Sequence, residues 1–138
     1  MRVAKEFRWE MGHRLPFHEG LCKNLHGHSY KMLVEFTGEL NDHGILVDYY
    51  DIKKIVGPIV DELDHSIIVN QNDTELIEAL TKLNSRHVVI KADTTAENIC
   101  TYFLEKIQQM DLPASISKIE LRVFETENTY AEEEVTLK

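Results

Sequence analysis

The sequence predicts an α+β fold, a sheet of antiparallel hairpins with helices covering one face. Three observations predict it. Segments alternating apolar and polar residues at a period of two lie near both ends of the chain. Segments with the helical period lie between them. The length, 138 residues, suits one compact domain spanning 1–138.

The elements follow in order. Residues 2–9 read as a strand on Val3, Phe7 and Trp9. Residues 14–25 hold Pro16, Gly20 and Asn24 and read as a loop. Residues 28–37 alternate, with Tyr30, Met32, Val34 and Phe36 on one face. Residues 41–44 form a turn. Residues 49–63 follow a helical period through Ile52, Ile55, Val56, Ile59, Val60 and Leu63, and Gly57-Pro58 predicts a kink or a broken pair of helices. Residues 73–83 form a short helix, and 87–91 a short strand. Residues 95–110 form a helix with Ile99, Phe103 and Ile107 on one face, and Thr94 and Glu97 have capping-box spacing. Residues 117–125 alternate again, with Ile119, Leu121, Val123 and Glu125 sharing a face. Residues 130–137 read as a last edge strand, with the run Glu132-Glu133-Glu134 solvated. Two hairpins then make a four-stranded antiparallel sheet, and its uncovered face calls for a partner, which oligomerisation would supply.

Composition narrows the function classes. Hydrophobic residues make up 43% and charged residues 28%, which excludes a mostly disordered chain. Asp and Glu outnumber Lys and Arg by 24 to 15, a net charge of −9, which argues against nucleic acid or an anionic membrane as partner. Residues 1–12 carry charges throughout and form no apolar signal-peptide core. No run approaches the roughly 20 apolar residues of a membrane span, so the expected location is cytoplasmic. Seven His stand against two Cys, and Cys22 and Cys100 are too few and too far apart for a disulfide framework.

The chemistry concentrates near the front, in Cys22-Lys23-Asn24-Leu25-His26-Gly27-His28. His26 and His28 at i and i+2 of a strand point to the same side of the sheet. His13 comes alongside if the two strands pair as a hairpin. Three His suit Zn²⁺ and leave a fourth position for water or substrate, the arrangement of a catalytic metal. Cys22 has two readings: a fourth ligand closing the site, or a free thiol acting as nucleophile or base. Glu125, a carboxylate on an otherwise apolar face, is unusual without a partner and reads as ligand-binding. Asp64-His65 follows a helix directly and, read alone, is a polar helix end. His18, His43 and His87 read as solvent-facing, Cys100 as a buried structural thiol, and Tyr49-Tyr50 as packing residues.

Cys22, His26 and His28, taken with Leu63-Asp64-His65, Thr95-x-Glu97 and Phe124-Glu125-Thr126, resemble the 6-pyruvoyltetrahydropterin synthase / 6-carboxytetrahydropterin synthase family, from Phe7 to about Tyr130. The resemblance implies that His13, His26 and His28 hold Zn²⁺, that Cys22 is the catalytic base, and that Asp64 and His65 form a proton-relay pair with it. It implies that Glu125 anchors the pterin and that Thr95 and Glu97 line the same pocket. It implies the tunnelling fold: a four-stranded antiparallel sheet with two main helices, sheets closing into a barrel, trimers or hexamers, and active sites between subunits. The Cys-x-x-x-His-Gly-His gap matches the carboxytetrahydropterin synthases of the queuosine pathway; animal-type pyruvoyl synthases carry a longer gap. The implied reaction converts 7,8-dihydroneopterin triphosphate to 6-carboxy-5,6,7,8-tetrahydropterin, acetaldehyde and triphosphate. Arg14 and Lys23 are the nearest local cations for the triphosphate. The segment 66–93 departs from the family pattern by its length.

Overall fold

The computed structural model describes residues 1–137. Strands β1 (Arg2–His13) and β2 (His26–Gly38) form a long antiparallel hairpin, joined by a loop with a single 3-10 turn at Leu21–Lys23. Helix α1 (Tyr49–Leu63) follows, then β3 (Ser66–Asn70), α2 (Thr74–Lys82), β4 (His87–Ile90), α3 (Ala96–Gln108), β5 (Ile116–Thr126) and β6 (Thr129–Thr136). The strands make one mixed sheet in the order β4-β3-β1-β2-β5-β6.

The antiparallel half, β1-β2-β5-β6, matches the expected four strands. The expected total of four is corrected to six. Ser66–Asn70 joins the outer edge of β1 in parallel, at Met11 and Gly12, and β4 joins β3 in parallel. A parallel pair needs a crossover, and α2 supplies it. The expectation of two main helices becomes three. Most of the long 66–93 segment is therefore a strand-helix-strand unit that widens the sheet.

Alternation sets the two faces. Trp9 and Met11 of β1, Tyr30 to Phe36 at even positions of β2, and Ile119, Leu121 and Val123 of β5 are buried on the inner face against α1 and α3. Helix α1 runs unbroken through Gly57-Pro58, which corrects the expected broken pair of helices. Pro58 lies on its exposed side, so the hydrogen bond it cannot make leaves a carbonyl that water can reach, while the buried stripe from Ile52 to Leu63 continues past it. Asp48 starts this helix by accepting the Tyr50 N–H at 2.8 Å.

The outer face of the antiparallel half is charged. Arg2–Glu35 and Lys118–Glu134 pair across it. The Glu132–Glu134 run belongs to β6, and Glu132 accepts two bonds from Arg122. Helix α2 packs on this outer face through Leu76 and Leu80 against Val69. Tyr49 and Tyr50 are 59% and 77% exposed, so they do not pack as expected. Cys100 is buried beneath β5 beside the Leu121 carbonyl, and burial pushes its thiol up to about 12. No helix among the described residues is long and apolar enough to cross a membrane.

Candidate metal and pterin site

The hairpin register places His13 directly opposite His26, and His28 opposite Met11, all on the inner face. The three imidazoles offer ligand atoms within 4.8 Å of one another. Backbone carbonyls fix two of the tautomers. His13 Nδ1 lies 2.7 Å from the Thr94 carbonyl and His26 Nδ1 lies 2.6 Å from the Asn24 carbonyl. A carbonyl only accepts, so each Nδ1 carries a proton, and in the neutral ring Nε2 keeps its lone pair. Both Nε2 atoms are buried with no hydrogen-bond partner. Burial, opposed by the Thr94 contact and reinforced by the neighbouring imidazoles, lowers the His13 pKa to about 4; burial likewise lowers that of His28. Converging imidazole nitrogens, two of them buried without partners, form a donor set that fits a divalent cation.

Cys22 is half-buried on the 3-10 turn, four residues before His26, and is not one of the converging ligands. Its carbonyl accepts the Leu15 N–H at 2.9 Å, which closes the loop onto itself. Glu125 lies beside the cluster, with Oε1 4.0 Å from His13 Nε2. It falls where the β5–β6 register shifts, between Phe124 and Thr126, and takes no partner in the ladder. Such a bulge re-aims a side chain. Burial raises its pKa first, and the charge of Glu97 raises it further. Glu97, on the first turn of α3, is itself exposed. Tyr30 lies beside Glu125: its buried hydroxyl faces the carboxylate, and burial and the Glu125 charge push its pKa upward.

Two assignments at the start of α3 change. The N-cap is Thr95, whose side chain accepts the Asn98 N–H at 3.2 Å; Thr94 is not the cap. Thr94 is buried instead beneath His13, and sequence reasoning missed that role because a main-chain acceptor leaves no residue signature. Arg14 is also reassigned. Its guanidinium grips Asp73 through two bonds, at 2.8 and 2.6 Å, and is not free for a phosphate. Lys23 is exposed at the end of the 3-10 turn. His18 and His43 are exposed and His87 is half-buried, all outside the cluster.

Asp64 and His65 are not among the converging ligands, although His65 and His28 border one cavity. The pair closes α1 at the edge of β1. Asp64 Oδ1 accepts the Glu10 N–H at 2.9 Å and lies 3.0 Å from His65 Nδ1, and the His65 N–H donates to the Glu10 carbonyl at 2.7 Å. The Glu10 N–H bond holds the Asp64 carboxyl below the usual range, helped by His65. His65 is 76% exposed and borders a cavity of about 360 Å³ together with Glu10, Gly12, Gly27 and Ser29, residues of the outer face. No hydrogen bond or ion pair joins Cys22 to this pair among the described residues.

Known proteins resemble this chain in sequence and in fold. The family model described as 6-pyruvoyl tetrahydropterin synthase matches residues 2–135. The 6-carboxy-5,6,7,8-tetrahydropterin synthase of Haemophilus influenzae is 36% identical over 139 residues, covering 95% of this chain and 96% of its own. The protein of the same name from Aquifex aeolicus is 27% identical, covering 94% and 95%. Among solved structures, a catalytic-residue variant of Plasmodium vivax 6-pyruvoyltetrahydropterin synthase superposes with a TM-score of 0.80 at 20% identity, covering 99% and 98%. The Caenorhabditis elegans 6-pyruvoyl tetrahydropterin synthase follows with a TM-score of 0.71 at 21% identity, covering 99% and 96%. The structures share the fold, and the family model and the relatives share the sequence over nearly the whole chain: it belongs to the 6-pyruvoyl tetrahydropterin synthase family.

Proposed function

We propose that this chain is a zinc-dependent lyase converting 7,8-dihydroneopterin triphosphate and water to 6-carboxy-5,6,7,8-tetrahydropterin, acetaldehyde and triphosphate. The observation that carries the reading is the convergence of three imidazoles, with the Nε2 atoms of His13 and His26 buried and lacking partners, beside the half-buried Glu125. His13, His26 and His28 would hold the ion. Zn²⁺ bound there supplies a Lewis acid for the oxygens of the substrate side chain.

The protein groups do the rest. Glu125 is half-buried, with the charge of Glu97 near it and the Tyr30 hydroxyl facing it, so an ionised carboxylate there gains from further donors. The 2-amino and N3 hydrogens of a pterin supply two, in the planar geometry a carboxylate accepts best. That match makes a pterin the favoured substrate class. Glu97 and Thr95 shape the wall of the same pocket. Cys22 takes the proton from the substrate side chain. His65, oriented by Asp64, relays it.

The position of His65 on the outer side makes the relay an affair between subunits. The outer edge of β1 from Arg2 to Trp9 carries no strand, and β6 ends the sheet on the other side. Two open edges permit sheets of neighbouring copies to continue into a closed ring, a trimer or hexamer, with His65 of one subunit serving the Cys22 of another. The expected setting for this enzyme remains the cytoplasm.

The Cys-x-x-x-His-Gly-His spacing and the names of the curated relatives favour the carboxy product over the pyruvoyl product of triphosphate elimination. A zinc-stabilised interaction protein without turnover would need a closed site, and Cys22 stands outside the converging ligands. Chelator-stripped protein is expected to lose turnover and to regain it with zinc. Cys22→Ala is expected to keep one zinc per chain while turnover collapses. Loss of zinc in that variant would make Cys22 a ligand and sink the assignment.

A further inference from the structure

Helix α1 ends on a demanding stretch of backbone. Its last turn holds no basic residue, although the terminal carbonyls lack partners inside the helix. Immediately beyond it, His65 has φ 58°, in the left-handed region that a residue with a Cβ keeps only when its surroundings hold it there.

The missing cation arrives from the strand-helix-strand unit. Arg86 precedes β4, and its carbonyl accepts the Ile67 N–H at 3.1 Å, which ties it to β3. Its Nη2 is shared by the carbonyls of Asp61, Glu62 and Asp64, at 3.0, 3.2 and 3.3 Å. Its Nε reaches the Ser66 hydroxyl at 3.4 Å, and that hydroxyl donates to the Glu62 carbonyl at 2.9 Å. Arg86 makes no ion pair among the described residues, so these acceptors hold its side chain. The guanidinium thus brackets the pair, touching the main chain of Asp64 before His65 and the side chain of Ser66 after it.

We propose that Arg86 is a positioning residue for the Asp64–His65 pair, fixing the turn that aims His65 outward. The inference rests on the proposed relay role of His65. It also gives the long 66–93 segment a purpose, the delivery of a cation to the end of α1. A planar guanidinium spreads donors over several acceptors, which an ammonium does not reproduce.

The test uses zinc-loaded protein and 7,8-dihydroneopterin triphosphate, with His65→Ala, Arg86→Ala, Arg86→Lys and the double variant His65→Ala/Arg86→Ala. Arg86→Ala is expected to lower kcat on the order of 10- to 100-fold, as misplacement of a reacting group does, with KM and zinc content unchanged. Added guanidinium at non-denaturing concentration is expected to restore part of that loss. The double variant is expected to be no slower than His65→Ala, because Arg86 acts through His65. If Arg86→Ala does not fold, Arg86→Lys carries the test, with a lowered kcat at an unchanged melting temperature expected. Wild-type kcat in a folded Arg86 variant, or losses that multiply in the double variant, would overturn the proposal. A fully active His65→Ala would overturn the relay reading and this inference together, whereas an impaired His65→Ala beside a normal Arg86→Ala overturns this inference alone.

Discussion

His13 is the most constrained residue of the site, 1% exposed, with Nδ1 committed to Thr94 and Nε2 left open. Its pKa falls from an ordinary 6.5 to about 4, chiefly through burial. The unfolded chain therefore binds a proton at this residue that the folded chain refuses between those values. The linked stability is present above pH 6.5 and is lost as pH falls towards 4, by up to about 3 kcal/mol. Melting of metal-free protein is expected to fall more steeply between about pH 7 and pH 5 in the wild type than in His13→Gln; equal slopes would contradict this. The parity of His26, His28 and Glu125 was legible because a strand turns residue number directly into direction. Arg14 and Thr94 were not, since their partners, Asp73 and a buried imidazole, depend on how distant segments meet.

The elements show which rules carried and which did not. The boundaries of β2, α1, α3 and β5 followed from their periods to within a few residues. Strand β3 was missed because Ser66–Asn70 follows Asp64-His65 with no turn residue between, and only the left-handed His65 allows so abrupt a change. At the start of α3 the cap moved by one residue, to Thr95, and Thr95→Ala is expected to cost about 1 kcal/mol in denaturant unfolding. Gly38 marks another junction. A Cβ there would meet the Ser115 carbonyl oxygen, at the point where the β2–β5 register shifts. Gly38→Ala must therefore displace backbone and is expected to cost about 1–3 kcal/mol. An unchanged unfolding midpoint in either variant would contradict these readings.

For the whole molecule, the alternation of residues pointed to a sheet with one buried face, and the antiparallel half carries just that, while α2 covers Val69 on the other face of the parallel half. The charges that line the other face were visible in sequence, yet they became informative only once Arg2–Glu35 and Lys118–Glu134 were seen to pair across it. The separation of His65 from the histidine cluster is a property of the folded chain that no local pattern encodes. It yields a prediction about assembly: Cys22→Ala and His65→Ala, each inactive alone, are expected to regain activity when unfolded, mixed and refolded together, since some sites then draw an intact Cys22 and an intact His65 from different subunits. No recovery would place both groups in one chain. The most direct test of the central claim is product analysis. Zinc-loaded protein incubated with 7,8-dihydroneopterin triphosphate is predicted to release acetaldehyde and triphosphate and to leave 6-carboxy-5,6,7,8-tetrahydropterin in the mass spectrum. A product retaining its three-carbon side chain, or no turnover with zinc bound, would contradict it.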